Sequence, residues 1–318
     1  MHRSPAAVMM MVVAAVFLLL TGGGSDEILP PLGQQGLCLP SPALWHLPRW
    51  TEIAGGILLN GLILGLMALL NKDFNVLRSN TRLQLGLFAI MAAAVPPMVL
   101  NINSGIILAV AVNFCIFLLF SCFDDPSQTR IVFLAFLLMS FGASFQYSFA
   151  VFVPVMWLVV AQMRIFNLRT FLASLFGIAT PWIILLGFGI VTPDDFHLPE
   201  VTGIFHAFAE DSVTYILTVT GFIIFLLLVA IILNVSRTIA YNARARAYNG
   251  ALTIIAIVTI IAIAVNYNNL LAYLPLLTVC AAYQITHWFV NHRFEKQYIA
   301  VLAVCASFIV FYLWQIVL

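Results

Sequence analysis

Charge is what this chain has least of. Only 8% of its 318 residues are Asp, Glu, Lys or Arg, against about a quarter in soluble domains. So few charged groups cannot cover a water-facing surface of this size, which excludes a soluble globular domain. Motifs that specify a reaction are missing too. No Walker-type glycine loop, HExxH, GxSxG or Cys/His metal spacing occurs. The five cysteines (Cys38, Cys115, Cys122, Cys280, Cys305) form no CxxC pair. Four lie in apolar runs and read as small hydrophobes. Cys38 stands alone in a polar loop, so no internal disulfide is expected there. No apolar run carries a charged group near its centre, counting Glu52 as the edge of one. Proton pumps and ion-coupled transporters usually need such a group at mid-membrane.

What the chain does have is apolar runs, at 63% apolar residues overall. The stretch from Ile131 to Val191 sets the pattern with Ile131–Phe145, Phe149–Met163 and Thr170–Val191. An uncharged turn, Ser144–Ser148, joins the first two. A turn with two arginines, Arg164 and Arg169, and no acid joins the second pair. Runs of this length, broken by turns of alternating charge, are helices that cross a bilayer and return. Further spans are expected at about Ile53–Leu70, Leu83–Leu100, Gly105–Phe123, Tyr215–Val235, Ala251–Val265, Leu270–Val290 and Tyr298–Leu318. With a basic start and a short apolar run over Ala6–Thr21, the total is eleven. The fold class is therefore all-α: a polytopic transmembrane helical bundle of about 11 spans, N-terminus inside and C-terminus outside. It reads as a single transmembrane domain over residues 1–318. Residues 1–22 are a signal anchor or signal peptide, the anchor preferred because Thr21-Gly22-Gly23-Gly24 is a poor cleavage site. An outer loop (23–52), core hairpins (53–191), a second outer loop (192–214) and C-terminal spans (215–318) follow. This count puts twelve of the thirteen basic residues inside, leaving only Arg49 outside, as the positive-inside rule requires.

The polar residues within spans are Asn60, Asn113, Gln146, Gln162, Gln284 and His287, which are expected to hydrogen-bond between helices. Pro96-Pro97, Pro154, Pro181 and Pro275 each remove a backbone hydrogen bond. Pro96-Pro97 is the best candidate for a deliberate bend.

Chemistry is left to the outer face. One loop offers Asp26, Glu27, His46 and Arg49, and the other offers Asp194, Asp195, His197, Glu200, His206 and Glu210. Two loops on one side of a bundle can meet over a central cavity. Together they supply carboxylates for base or metal work and cations for an anionic group. Ordinary solvated loop charge is the competing reading.

The order of these features resembles the GT-C class of integral-membrane glycosyltransferases, which draw on a polyprenyl-phosphate-linked sugar at the outer side of the membrane. The resemblance lies in a first helix followed by Asp26-Glu27, then closely spaced hairpins through Leu87–Leu100, Gly105–Phe123, Ile131–Tyr147 and Phe149–Arg164. It covers roughly residues 5 to 190. It implies Asp26 or Glu27 as the catalytic base. It also implies Arg49, His46, His197 and His206 as phosphate-binding groups, or a divalent metal held by Asp194 and Asp195. The implied partners are membrane lipid and a polyprenyl-phosphate-linked sugar, with no nucleic acid. The chain is also similar to a family of bacterial multipass inner-membrane proteins of no assigned activity, through Phe152–Pro181 with its Pro154-Val155-Met156-Trp157 run and Arg-Ile-Phe-Asn-Leu-Arg turn. A lipid or small-solute transporter or flippase, and a non-catalytic scaffold of a membrane complex, are the alternatives.

Overall fold

A computed structural model describes residues 5–21, 36–42, 45, 47–79, 82–196, 214–238, 241–291 and 297–317. They form twelve α-helices: α1 (Pro5–Thr21), α2 (Arg49–Phe74), α3 (Leu83–Ala93), α4 (Pro96–Leu100), α5 (Ser104–Ser121), α6 (Thr129–Phe145), α7 (Ser148–Gln162), α8 (Leu168–Gly187), α9 (Thr214–Thr238), α10 (Ala243–Val265), α11 (Leu270–Asn291) and α12 (Gln297–Val317). Six of them, α2, α5, α8, α9, α10 and α11, are long and apolar enough to cross a membrane. Helix satisfies every backbone group within its own segment, the condition hydrocarbon imposes. Large apolar side chains such as Leu58, Phe176, Ile183, Phe225 and Ile232 point outward, as they must where lipid is the solvent.

The break expected at Pro96-Pro97 is a full interruption. α3 stops at Ala93, and α4 restarts with proline in its first turn. There the missing N–H costs nothing, because first-turn amides have no helical acceptor. Pro154, Pro181 and Pro275 sit inside continuous helices. α10 begins well before the expected Ala251, because Asn242 caps it by accepting the Ala245 amide. Arg244 and Arg246 therefore stand on its first turns.

The centre of the bundle is α11. Every residue from Leu270 to His287 is buried, and α3, α5, α9 and α10 surround it. Tyr283 also reaches α2, donating to the Met67 carbonyl at 3.1 Å. Helices in lipid gain nothing by hiding apolar surface from each other, so small residues and polar links hold them. Gly105 of α5 lies so close to α11 that a Cβ there would fall 2.3 Å from the Leu271 carbonyl oxygen. α8 is peripheral. It rests on α6, with Gly177 against the Phe133 carbonyl, and Trp182 donating to Ser140 Oγ at 2.9 Å.

Of the polar residues expected to link helices, Gln146 and Gln284 do so. Asn60 and Asn113 instead donate back to their own helices, to the carbonyls of Gly56 and Ala109. An amide at i can always reach the i−4 carbonyl, and these two sites offer no better acceptor.

The turns sort into two ends. At one, Asp124 N–H donates to the Met163 carbonyl, Arg78 lies over Tyr241, and Tyr248 stacks on Phe120. Every described basic residue except Arg49 belongs to this end. At the other, the chain after α1 meets the α6–α7 turn, and that turn meets the α10–α11 turn.

Candidate functional site

The second end holds a buried polar cluster outside the helix interiors. α6 stops at Phe145, and Gln146 turns the chain in extended conformation. α10 stops at Val265, and Asn266–Asn269 carry the chain into α11. The two turns face each other. Gln146 donates through Nε2 to Asn269 Oδ1 at 3.0 Å. The Tyr147 hydroxyl oxygen accepts from the side-chain nitrogens of both Asn266 and Asn269. The Tyr273 hydroxyl, one turn along α11, neighbours that of Tyr147. Gln146, Ser148 and Asn269 are 0%, 0% and 1% exposed. Two atoms in this nest, Gln146 Oε1 and Ser148 Oγ, have no hydrogen-bond partner among the described residues. A buried polar atom left so costs about 1–3 kcal/mol, so the nest has spare capacity for a hydroxyl or a water.

The nest is roofed. The Cys38 and Leu39 amides both donate to the Ser144 carbonyl, at 3.3 and 2.9 Å, which lays residues 36–41 across the end of α6. Trp45 meets Phe145 edge-on at 6.3 Å. The second loop arrives at the same place. Burial, and then the charge of Asp195, push the Cys38 thiol above its ordinary pKa. Phe196 packs on Trp182 at 5.6 Å, which holds this loop to the end of α8. The described parts of the two loops thus converge over α6.

The residues singled out from sequence fare differently. Asp26, Glu27, His46, His197, Glu200, His206 and Glu210 lie outside the described residues. Arg49 is tied into the scaffold, 3.5 Å from Glu52 and donating to Asn101 Oδ1 at 2.6 Å. It joins the start of α2 to the α4–α5 turn. Asp195 caps its own short turn, with Oδ2 accepting from Thr192 N and Oγ1 at 2.7 and 2.8 Å. Asp194 is exposed beside it. For a divalent ion the described part of this loop supplies these two carboxylates, one with an oxygen already engaged. Hard cations take six or more oxygens. Among the described residues no three His, Cys, Asp or Glu side chains come together.

The nest itself went unread in the sequence, apart from Gln146. Asn266-Tyr267-Asn268-Asn269 was readable as a run of three amides and a phenol between two apolar spans. Its burial was not, since connections normally lie in water. Amides and phenols offer donors and acceptors without charge, which suits recognition of neutral hydroxyls. They supply no base near neutral pH, so acid–base chemistry here would draw on the loops above. No family model, curated protein or solved structure matches this chain.

Proposed function

We propose that the chain crosses a bacterial inner membrane eleven times, basic end in the cytoplasm, and handles a sugar carried on a polyprenyl phosphate at its outer end. Six long helices and five shorter apolar ones, with α3 and α4 taken as one broken pass, support the count. The sorting of the arginines supports the orientation. The observation that carries the sugar reading is the uncharged Gln146–Tyr147–Asn266–Asn269 nest beneath two converging loops. In GT-C-like transfer an acceptor oxygen attacks the anomeric carbon. Asp26 or Glu27 takes its proton, and the bond to the lipid phosphate breaks. With Arg49 committed to Glu52 and Asn101, His46, His197 and His206 are the groups that would meet the leaving phosphate.

A second reading, a lipid or solute carrier, draws on one observation. α11 holds another polar cluster near its other end, where Gln284 meets Asn234, Asn249 and Thr253. One experiment separates the readings. Asp26→Asn with Glu27→Gln, at unchanged protein abundance, abolishes a lipid-linked sugar product if the chain transfers sugar. If that pair is silent while Gln284→Leu, at unchanged abundance, abolishes the phenotype, the carrier reading is favoured. Tags in the Arg164–Arg169 turn and after Leu318 report opposite compartments if the count is odd.

A further inference from the structure

The basic end carries a pair of arginines built unlike the rest. Arg78 lies in the α2–α3 turn at φ 53°, a left-handed conformation costly for a residue with a side chain. Asn71 holds it there. Its Oδ1 accepts the Leu77 amide at 3.0 Å, and its Nδ2 donates to the Ser79 carbonyl at 3.0 Å. Buried Val76 and Leu77 anchor the same turn. The guanidinium of Arg78 lies over the Tyr241 ring, 4.4 Å from its centroid. That ring meets buried His287 of α11 edge-on at 5.7 Å, so the platform under Arg78 is fixed to the central helix.

Three residues on, Arg244 stands in the first turn of α10. Its Nε donates to the Tyr248 hydroxyl at 2.6 Å, and that hydroxyl donates to the Phe120 carbonyl at 3.0 Å. Tyr248 is stacked on Phe120 at 4.2 Å and meets Phe74 at 5.8 Å. α5, α2 and α10 thus hold this second guanidinium together.

Stacking uses the face of a guanidinium and leaves the N–H fork at its edge. Among the described residues neither arginine has a carboxylate within ion-pair distance; the ion pair there is Arg49–Glu52, at the opposite end. α10 has no acid in its first turn. Its N-terminus adds the partial positive charge of the helix dipole, and Asn242 caps only the Ala245 amide. The Arg78 fork, the terminal nitrogens of Arg244, the start of α10 and the two aromatic platforms therefore lie at the same end of the bundle. Forks of this geometry match phosphate oxygens.

We propose that Arg78 and Arg244, set on Tyr241 and Tyr248, form a binding site for the phosphate of an anionic phospholipid headgroup. The favoured source is lipid rather than a soluble phosphate, because tyrosine platforms at the ends of membrane helices sit at headgroup depth. A headgroup bound there would fasten the α2–α3 turn to the start of α10.

The test uses the full chain purified in a neutral maltoside detergent. Thermal unfolding is followed with added dioleoylphosphatidylglycerol, dioleoylphosphatidylcholine or inorganic pyrophosphate. Phosphatidylglycerol should raise the midpoint by several degrees and phosphatidylcholine should not. Arg78→Gln or Arg244→Gln should lose at least half of that rise, while Arg169→Gln, a charge at the same end, keeps it. Tyr241→Leu retains both charges but removes a platform, and it too should lose the rise. Equal effects of the two lipids, or an equal loss in Arg169→Gln, would reduce the site to diffuse charge and overturn the proposal. A rise with pyrophosphate and none with phosphatidylglycerol would overturn the lipid assignment.

Discussion

Asn234 donates from one side-chain nitrogen to two oxygens of Gln284, the main-chain carbonyl at 2.9 Å and Oε1 at 3.0 Å. Gln284 passes the link on through Nε2, to Asn249 Oδ1 at 3.2 Å and Thr253 Oγ1 at 3.0 Å. One side chain on α11 thereby holds both α9 and α10. Gln284→Leu should strand its partners in a buried setting. Interhelical hydrogen bonds in membranes average about 0.6 kcal/mol and reach about 1.7, so the loss should be about 1–2 kcal/mol. Unfolding in graded denaturing detergent measures it. Asn234→Leu with Gln284→Leu should cost less than the sum of the single changes, because both remove the same link. Strict additivity would deny the coupling.

Close approach of α5 to α11 gives a sharper contrast. A Cβ at Gly105 would meet backbone on both counts, 2.3 Å from the Leu271 oxygen and 3.0 Å from the Ala272 Cα. Backbone cannot swing aside, so α5 must move. Gly105→Ala should cost about 1–3 kcal/mol, the range for overpacking. At Gly61, on α2, nothing lies within 4 Å of the added carbon. Gly61→Ala should therefore be neutral, or stabilising by up to about 1 kcal/mol through helix propensity. The same detergent unfolding series reads both.

Those two glycines look alike in sequence, and this shows where sequence reading stops. Apolar runs bounded by arginine turns located the helices well, because crossing hydrocarbon dictates both length and charge. Pro96-Pro97 marked a real break. The start of α10 was misplaced because Arg244, Arg246 and Asn249 look like a loop, while the Asn242 cap that begins the helix is a single residue. The central position of α11 was missed, although a sign of it was present. α11 is the least apolar of the six long helices, and Thr278, Tyr283, Gln284, Thr286 and His287 leave no clean apolar stripe for lipid. The stretch that sets the pattern in sequence, Ile131–Val191, includes α8, which lies at the rim. Of the site, the carboxylates of the loops were legible by type. The nest of Gln146, Tyr147, Asn266 and Asn269 was not, because it forms between segments more than a hundred residues apart.

Asp125, in the α5–α6 turn, accepts from Ser127 Oγ at 2.6 Å, Gln128 Nε2 at 2.8 Å and the Ser127 amide at 3.1 Å. These bonds favour the ionised form and hold its carboxyl below the usual aspartate value. The folded value is the lower one. Its contribution to stability is therefore complete above the unfolded value and is lost as pH falls through the folded one. The contribution is therefore fully present at neutral pH and adds no pH dependence there. Ser127→Ala removes the shortest of the three hydrogen bonds, and the carboxyl should then titrate nearer its ordinary value. Carbon-13 NMR of an aspartate-labelled chain in detergent follows that titration, and an unchanged curve would remove Ser127 from the account.

Whether the chain before α2 and the chain after α8 meet in solution as they do over α6 is testable at one sulfur. Cys38 is half-buried and the other four cysteines are buried, so maleimide labelling of the folded chain should report Cys38. Only the thiolate reacts. Burial and the Asp195 charge both raise the thiol's pKa, so its labelling rate should climb at a higher pH than that of an ordinary thiol. Asp195→Asn removes the charge and leaves the burial. The rate profile should shift to lower pH without reaching the ordinary position, so labelling at pH 8 should be faster than in the wild-type chain. Salt offers an independent control, since it screens the charge but not the burial. Raising ionic strength should speed labelling of the wild-type chain and leave Asp195→Asn nearly unaffected. If neither the substitution nor salt changes the rate, Asp195 does not stand near Cys38, and the convergence of the loops above Gln146 fails with it.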